Sequence, residues 1–179
     1  FTIAGGTILD PTPPRRSYRS QGQKEFLKTR SSSTDCAKSF LQSLIIRDRY
    51  LPSSEILTQS CFSSAHINQA LEQIDAINSG HWIFDKKWWL DLVGVASKRI
   101  DTIHNKHPEL PGIDINMLRS FMKKHLPDPK LFEILVETLE TGEYIRSGTI
   151  IRRKNHSPRL PDKLQLAGKR IRDALNSSP

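Results

Sequence analysis

Two Ser–Gly pairs, at residues 79–80 and 147–148, stand 68 residues apart, and each pair follows three stretches with the apolar spacing of a helix. Ahead of the first pair, apolar residues recur at i, i+1, i+4 and i+5 in AKSFLQSLII, as on one buried helix face. Ahead of the second pair, the apolar residues of the longer stretch KKWWLDLVGVASKRIDTIHNKH also recur with helical spacing. Polar and apolar residues alternate in EYIRSGTIIRR, which predicts a β-hairpin. The chain therefore contains an internal repeat of architecture rather than of sequence.

The order of these elements (helix, helix, elbow, helix and hairpin) is that of the winged helix-turn-helix. We predict a mainly α fold with small β wings, made of tandem winged helix-turn-helix modules preceded by a short β-strand remnant. Ser63 or Ser64 is the predicted cap of the third helix in the first module. In the second module Asp128 is the predicted cap, Pro129 the first helical residue and Gly142 the end. The predicted buried faces comprise Phe40, Leu41, Leu44, Ile45, Ile56, Leu57, Ile67, Ala70, Leu71, Ile74, Trp89, Leu92, Val93, Ala96, Ile100, Ile103, Met117, Leu118, Phe121, Met122, Leu131, Phe132, Ile134, Leu135 and Leu139.

The modules have predicted boundaries at residues 21–85 and 86–155. Residues 1–4 and 7–9 have the composition of short β segments, and the proline-rich DPTPPRRSYRSQGQ follows them as a linker. Residues 1–20 are therefore interpreted as the end of a β-rich preceding domain and a linker. Because the chain opens without Met inside a predicted strand, we expect it to be a fragment of a larger protein.

Residues 156–179 are interpreted as a linker and the first helix of a truncated third module. Leu164, Ala167, Ile171 and Leu175 share one face of that helix. A lone helix cannot bury its own apolar face, so we expect it to pack on the second module or to fray.

The formal net charge is +8, and it is concentrated at the two ends. Residues 143–179 contain nine Lys or Arg against three Asp or Glu, and residues 1–33 contain six against two. The stretch between them is consequently slightly acidic. Two basic ends fit contact with a polyanion, although a solvated basic surface would have the same composition.

Several classes of function have no support in the sequence. It contains no GxxxxGK[ST], GxSxG, HExxH or CxxC motif, so we expect no enzymatic activity, cofactor or metal in this chain. His104, His107 and Asp114 straddle a proline turn and are interpreted as solvated or capping residues. Cys36 and Cys61 are predicted to be buried free thiols in a reducing compartment. With no run of 18 apolar residues and no signal peptide, we expect a cytoplasmic, monomeric chain without a membrane partner.

The second hairpin is the strongest candidate for binding. Arg146, Arg152, Arg153 and Lys154 place four cations on it or beside it, and Arg15 and Arg16 add two in the linker. In a DNA-binding winged helix the third helix enters the major groove, but PDPKLFEILVETLETG has one lysine against three glutamates and one aspartate. RNA is bound through phosphates, 2′-hydroxyls and loop bases and does not require that helix. The six cations are therefore candidate RNA contacts, and a solvated hairpin without a ligand stays open.

Three segments resemble bacterial selenocysteine-specific elongation factors (SelB). AGGTILDPTPPRR resembles the junction between the last β-barrel domain of that family and its C-terminal extension. IDTIHNKHPELPGIDINMLRS and LFEILVETLETGEYIRSGTIIRR, followed by NHSPRL, resemble the second winged-helix module of the extension and the entry to its third. The similarity covers most of residues 1–20 and 85–175 and is looser between them. The junction and the HPELPG segment are fairly specific, and the hairpin pattern alone is not.

The resemblance implies a translation factor whose N-terminal GTPase and barrel domains deliver selenocysteinyl-tRNA, with GTP and Mg bound in the G domain. Tandem winged helices would extend toward the mRNA hairpin, which the final module holds. No position in this chain matches the nucleotide site or the principal hairpin site. The chain would then be a structural arm that links the tRNA-carrying domains to the hairpin-binding modules, with weak RNA contact. Its partners, through the full-length factor, would be selenocysteinyl-tRNA, the mRNA insertion hairpin and the ribosome.

Two other functions stay open at the level of sequence. A DNA-binding regulator would use the third helices as groove readers, which their acidic or neutral composition disfavours. A tandem scaffold for protein partners would leave Trp88 and Trp89 exposed, whereas packing in the core or between modules is the interpretation favoured here for these residues and for Trp82. Base stacking on these tryptophans is the remaining alternative.

Overall fold

The computed structural model describes residues 5–6, 8–11, 13, 18–32, 36–160 and 162–176. Within them, eight α-helices predominate over two small antiparallel sheets of three strands each. The chain divides into two compact units, Phe1–Trp89 and Leu90–Pro179. The mainly α composition with small sheets agrees with the prediction.

The first unit contains four helices and one sheet. Its elements are α1 (Gln21–Ser31), α2 (Ala37–Asp48), β1 (Tyr50–Pro52), α3 (Ser53–Thr58), α4 (Ser64–Glu72), β2 (Ala76–Ser79) and β3 (Trp82–Asp85). Ser63 caps α4, since its hydroxyl accepts a hydrogen bond from the backbone N–H of His66. The core gathers apolar residues from α1, α2, α3, α4 and the sheet, among them Phe26, Leu41, Ile56, Ile67 and Ile83.

The second unit is built from the remaining elements. These are α5 (Lys86–Lys106, whose first four residues belong to the first unit), β4 (Ile113–Asp114), α6 (Ile115–Met122), α7 (Leu131–Thr141), β5 (Tyr144–Ser147), β6 (Ile150–Arg153) and α8 (Asp162–Asn176). Asp114 caps α6 by accepting a hydrogen bond from the backbone N–H of Asn116. The helices α5, α6 and α7 bury Ile100, Leu118, Met122, Leu131 and Leu135 almost completely.

The same order of elements occurs in both units. α2, β1, α3, α4, β2 and β3 correspond in order and type to α5, β4, α6, α7, β5 and β6. The strands are arranged as β1-β3-β2 and β4-β6-β5, so in each sheet the last strand of the unit lies in the centre. The hairpins turn at Gly80 and Gly148, whose φ angles are 64° and 61°. Glycine adopts this left-handed region without a steric penalty, which explains why each hairpin has one at that position.

Several sequence predictions were wrong in detail. Of the strand predicted at residues 7–9, the structure describes residues 8 and 9, and they form no strand. The Leu9 carbonyl accepts a hydrogen bond from Arg30, and the Asp10 carboxylate binds Gln23 and Arg47. Side-chain bonds thus hold this segment in irregular structure. Residues 1–4 of the predicted β segments lie outside the described residues.

Other corrections concern helix ends and burial. α7 begins at Leu131 with Lys130 as its N-cap, because Asp128 accepts from the Lys130 backbone N–H in the preceding turn. Leu57 and Met117 are exposed although their neighbours Ile56 and Leu118 are buried, since their helices are too short to bury a wider face. Cys36 and Cys61 are also exposed, and therefore the prediction of buried thiols was wrong. The helix α8 is formed, but Leu164, Ile171 and Leu175 on its apolar face stay exposed.

Gly112, in the HPELPG segment, allows the loop before β4 to approach β6 closely. A Cβ atom at this position would lie 2.6 Å from the Ile151 carbonyl oxygen and 2.7 Å from Ile150 Cγ2. The first of these neighbours is backbone in the central strand, so it cannot move without disturbing the sheet. The proline and glycine that end the long helix α5 therefore also set the spacing between loop and sheet.

We predict that Gly112→Ala lowers the free energy of unfolding of the second unit by about 2 kcal/mol, as expected for overpacking against backbone. The control is Gly94→Ala in the middle of α5, where an added Cβ meets nothing within 4 Å. That change should be neutral or stabilising by up to about 1 kcal/mol, because alanine favours helix over glycine. Urea unfolding of both variants measures the difference, and equal stability of the two would contradict the close approach.

Candidate nucleic-acid interface

The hairpin β5–β6 carries the four cations predicted from the sequence, but it does not bring them together. In the strand register Arg146 lies opposite Ile151, Ile145 opposite Arg152, and Tyr144 opposite Arg153. Since successive side chains in a strand point to opposite faces, Arg152 lies on the other face from Arg146 and Arg153. Arg146 is the only one of the three next to the turn, while Arg152 and Arg153 lie toward the base. A single cluster of arginines at the tip is therefore not formed.

Arg153 is engaged by carboxylates within its own unit. Its Nη2 lies 2.7 Å from Oδ2 of Asp101 in α5, its Nε donates to the other oxygen of that carboxylate, and its Nη1 pairs with Glu143. The guanidinium also lies 5.2 Å from the centre of the Tyr144 ring. The hydrogen bond from Arg153 lowers the pKa of Asp101, and the same bond raises the pKa of Arg153. Its main interactions fasten the hairpin to the first helix of the unit.

Arg152 and Lys154 donate to backbone carbonyls. Arg152 Nη1 lies 2.6 Å from the His156 carbonyl oxygen, and Lys154 Nζ lies 2.6 Å from that of Gly142. A carbonyl acceptor orients the cation without neutralising it, so both side chains keep their net charge for an anionic ligand.

Arg146 is the most available of the hairpin cations. It is exposed, and its Nε donates to the Gly148 carbonyl 3.2 Å away across the turn. Arg15 and Arg16 lie outside the described residues. Of the six cations predicted from the sequence as RNA contacts, the structure thus places one at the hairpin tip and fixes another in an ion pair.

Two histidines pack beside the Arg153 ion pair. The rings of His104 in α5 and His156 after β6 stack with centroids 3.8 Å apart and an angle of 5° between their planes. His156 Nε2 lies 2.9 Å from the Leu110 carbonyl oxygen and donates to it, while the buried Nε2 of His104 has no hydrogen-bond partner within the described part of the chain. Burial is the largest cause that lowers the pKa of His104, and electrostatic interaction with His156 is the second. The stack holds the segment after β6 against α5 and the HPELPG loop.

The outward faces of α4 and α7 differ from those of a DNA-reading helix. On α7, Glu133 and Glu137 are exposed, and Glu133 pairs with Arg119 of α6. On α4 the exposed residues include His66, Asn68, Gln69 and Glu72, without a lysine or arginine. Neither face presents uncompensated positive charge to phosphates.

The tryptophans contribute mainly to packing in the first unit. Trp89 is 1% exposed and stacks on Phe84 with ring centroids 4.1 Å apart. Trp82 and Trp88 are partly buried against Tyr50, at 5.7 Å and 6.1 Å. The Trp89 ring is too buried to stack on a nucleobase, whereas the rings of Trp82 and Trp88 are partly exposed to solvent.

Sequence reasoning overlooked a further basic group in the second unit. Arg99 of α5, and Lys124 and His125 just after α6, all contact the ring of Phe121. The run FMKKH shows the aromatic residue and its neighbours, but Arg99 is distant in sequence. Only the packing of α5 against α6 reveals the complete cluster.

Comparison with known proteins adds no assignment, since neither a protein-family model nor a curated protein matches the chain. The described residues contain no group of three or more His, Cys, Asp or Glu side chains arranged to hold a metal ion. Among those residues, no helix combines the length and apolar character required to cross a membrane.

We predict that Arg153→Ala and Arg146→Ala have different effects. Loss of the two carboxylate partners should lower the free energy of unfolding by about 1 kcal/mol for Arg153→Ala, whereas Arg146→Ala should leave it unchanged within about 0.5 kcal/mol. Urea unfolding followed by circular dichroism measures both. Asp101→Asn is the matched partner variant, and additive losses in the Asp101→Asn, Arg153→Ala double variant would contradict the ion pair.

The lowered pKa of His104 also predicts a dependence of stability on pH. The ordinary value is 6.5, and in the folded chain the pKa lies below it, so the unfolded state takes up the proton at higher pH. The contribution of His104 to stability is complete above about pH 6.5 and is lost as the pH falls toward the folded pKa. His104→Gln should flatten the loss of stability between about pH 7 and 5 in thermal unfolding. An unchanged slope in this variant would contradict the assignment to His104.

Proposed function

We propose that this chain is a pair of winged helix-turn-helix modules from the C-terminal extension of a selenocysteine-specific elongation factor. In this role it is a structural arm between domains that carry selenocysteinyl-tRNA and modules that hold the mRNA insertion hairpin. Its contact with RNA is weak and independent of sequence, and it works in the cytoplasm. GTP and Mg belong to the G domain of the full-length factor.

The observation that carries the proposal is the repeated order of elements. Each unit runs helix, strand, helix, helix, strand, strand, and its last strand lies between the other two. The winged helix-turn-helix places a short strand between its first and second helices and ends in a hairpin wing. The equivalent glycine turns at residues 80 and 148 support the same interpretation for both units.

The family assignment rests on the three segments that resemble selenocysteine-specific elongation factors. Gly112 gives one of them a physical role, because its close approach to β6 explains why the HPELPG segment ends in glycine. The Leu9 and Asp10 positions of the junction segment are bonded to α1 and α2, which supports a defined entry into the first module. Fold alone would not assign this function.

The electrostatics favour an arm over a DNA-binding regulator. Glu133 and Glu137 on the exposed face of α7 would repel DNA phosphates in a major groove. The hairpin supplies few unpaired cations, so its contribution to RNA affinity is small and falls with salt.

A protein-binding scaffold is the second candidate, favoured by one observation. The apolar residues Leu164, Ile171 and Leu175 of α8 are 55%, 62% and 72% exposed. A third winged helix-turn-helix module that begins with α8 would cover the same residues, which is why this exposure fits the arm as well.

We predict that the chain binds an mRNA hairpin for selenocysteine insertion no more tightly than an unrelated hairpin of equal length. The arm carries no base-reading surface, and phosphate contacts do not distinguish sequences. Gel-shift titrations of both RNAs, at physiological salt and at about 50 mM salt, measure the two affinities. A clear preference for the insertion hairpin that persists at physiological salt would overturn the arm as the function of these modules.

A further inference from the structure

Several cations of the second unit that have no acidic partner within the described residues gather around Phe121. Arg99 Cζ and Lys124 Nζ each lie 5.0 Å from the centre of its ring, and the His125 ring lies 5.5 Å away. Lys123, the C-cap of α6, is exposed beside them. We call Phe121, Arg99, Lys123, Lys124 and His125 the elbow cluster, because they meet where α6 ends and the chain turns toward α7.

The elbow cluster differs from the Arg119 and Arg153 sites of the unit in its lack of carboxylates. Arg119 pairs with Glu133, and Arg153 pairs with Asp101 and Glu143. None of the ion pairs within the described residues includes Arg99, Lys123 or Lys124. Two cations therefore share one aromatic ring with their mutual repulsion uncompensated.

A second observation concerns how the Arg99 side chain is held. The Nε of Arg99 is buried, and within the described residues it has no hydrogen-bond partner. Cation–π contact with Phe121 and the dipole of α6 account for part of the stability of these side chains. Neither supplies the acceptor oxygens that guanidinium and ammonium groups bind, and a phosphate group supplies them.

We propose that the elbow cluster binds backbone phosphates of RNA and is the main RNA contact of this chain. This inference rests on the proposed function, in which the arm contacts RNA without reading its sequence. Phe121 holds Arg99 and Lys124 in place, and Lys123 and His125 extend the surface. The ligand is a polynucleotide rather than free phosphate, because the cluster combines cations from α5 and from the end of α6, and a polynucleotide offers several phosphate groups to them.

The test is fluorescence anisotropy with a labelled single-stranded RNA of mixed sequence, measured over a range of salt concentrations. Lys123→Ala together with Lys124→Ala should weaken binding about tenfold at low salt, and the slope of log K against log salt should fall by about 1.4, as for two lost phosphate contacts on a single strand. Lys123→Glu with Lys124→Glu should abolish measurable binding. Thermal unfolding confirms that each variant is folded.

The matched control is Lys38→Ala with Lys87→Ala, two exposed lysines whose removal changes the net charge equally. This variant should bind RNA within about twofold of the unchanged chain if the contact is local rather than a response to net charge. Equal weakening in both double variants would overturn the inference. Competition by inorganic phosphate or polyglutamate at the same charge concentration as RNA would also overturn it.

The outcomes separate this inference from the proposed function. If the chain binds RNA without sequence preference and the lysine variant binds equally well, the elbow cluster is not the RNA contact. The proposed function as a structural arm is then unaffected. If the chain binds no RNA at low salt, the cluster and the proposed weak RNA contact are both wrong, and only the role as a spacer between domains is left. Only preference for the insertion hairpin overturns the function itself.

Discussion

Each unit depends on the pairing of its last strand with its first strand, β3 with β1 and β6 with β4. In the first unit this pairing places Leu51 opposite Ile83, and in the second it places Ile113 opposite Ile151. All four side chains are buried, at 6% exposure or less. The pair closes a loop of more than thirty residues, which includes both shorter helices and the hairpin. Burial of one aliphatic pair in register therefore fixes where the hairpin lies relative to the helices.

The same strand pairing determines which cations of the second unit have an acidic partner. Because β6 is the central strand, its end at Arg153 lies beside Asp101 of α5, and the guanidinium becomes a fastening of the hairpin. The elbow between α6 and α7 has no such neighbour, so Arg99 and Lys124 contact only an aromatic ring among the described groups. Net charge alone would rank the hairpin above the elbow. The ion pairs of Arg153 reduce the charge that the hairpin offers, while Arg146, Arg152 and Lys154 keep theirs.

The sequence predicted the helix faces well, but it could not show how the cations are arranged in space, for physical reasons. Apolar periodicity identified Leu41, Leu44, Ile100 and Leu135 because each helix is long enough to show its buried face. The strands β1 and β4 have three and two residues, too few for a period of two, and went unrecognised. Adjacent arginines at 152 and 153 suggest one patch in sequence, but a strand directs them to opposite faces. The elbow cluster joins residues more than twenty positions apart, which no local pattern reports.

The charges of the second unit are compatible with the weak RNA binding that we propose for an arm. Exposed Glu133 and Glu137 on α7 would repel a polyanion from that helix, whereas the cations of the elbow and hairpin would attract it. Affinity built from so few phosphate contacts is low at physiological salt and carries no preference for sequence. If the chain is the proposed spacer in a translation factor, tight RNA binding by its middle would oppose release of the factor. In that proposed role the acidic helix α7 would limit attraction to RNA, and specificity would come from other modules.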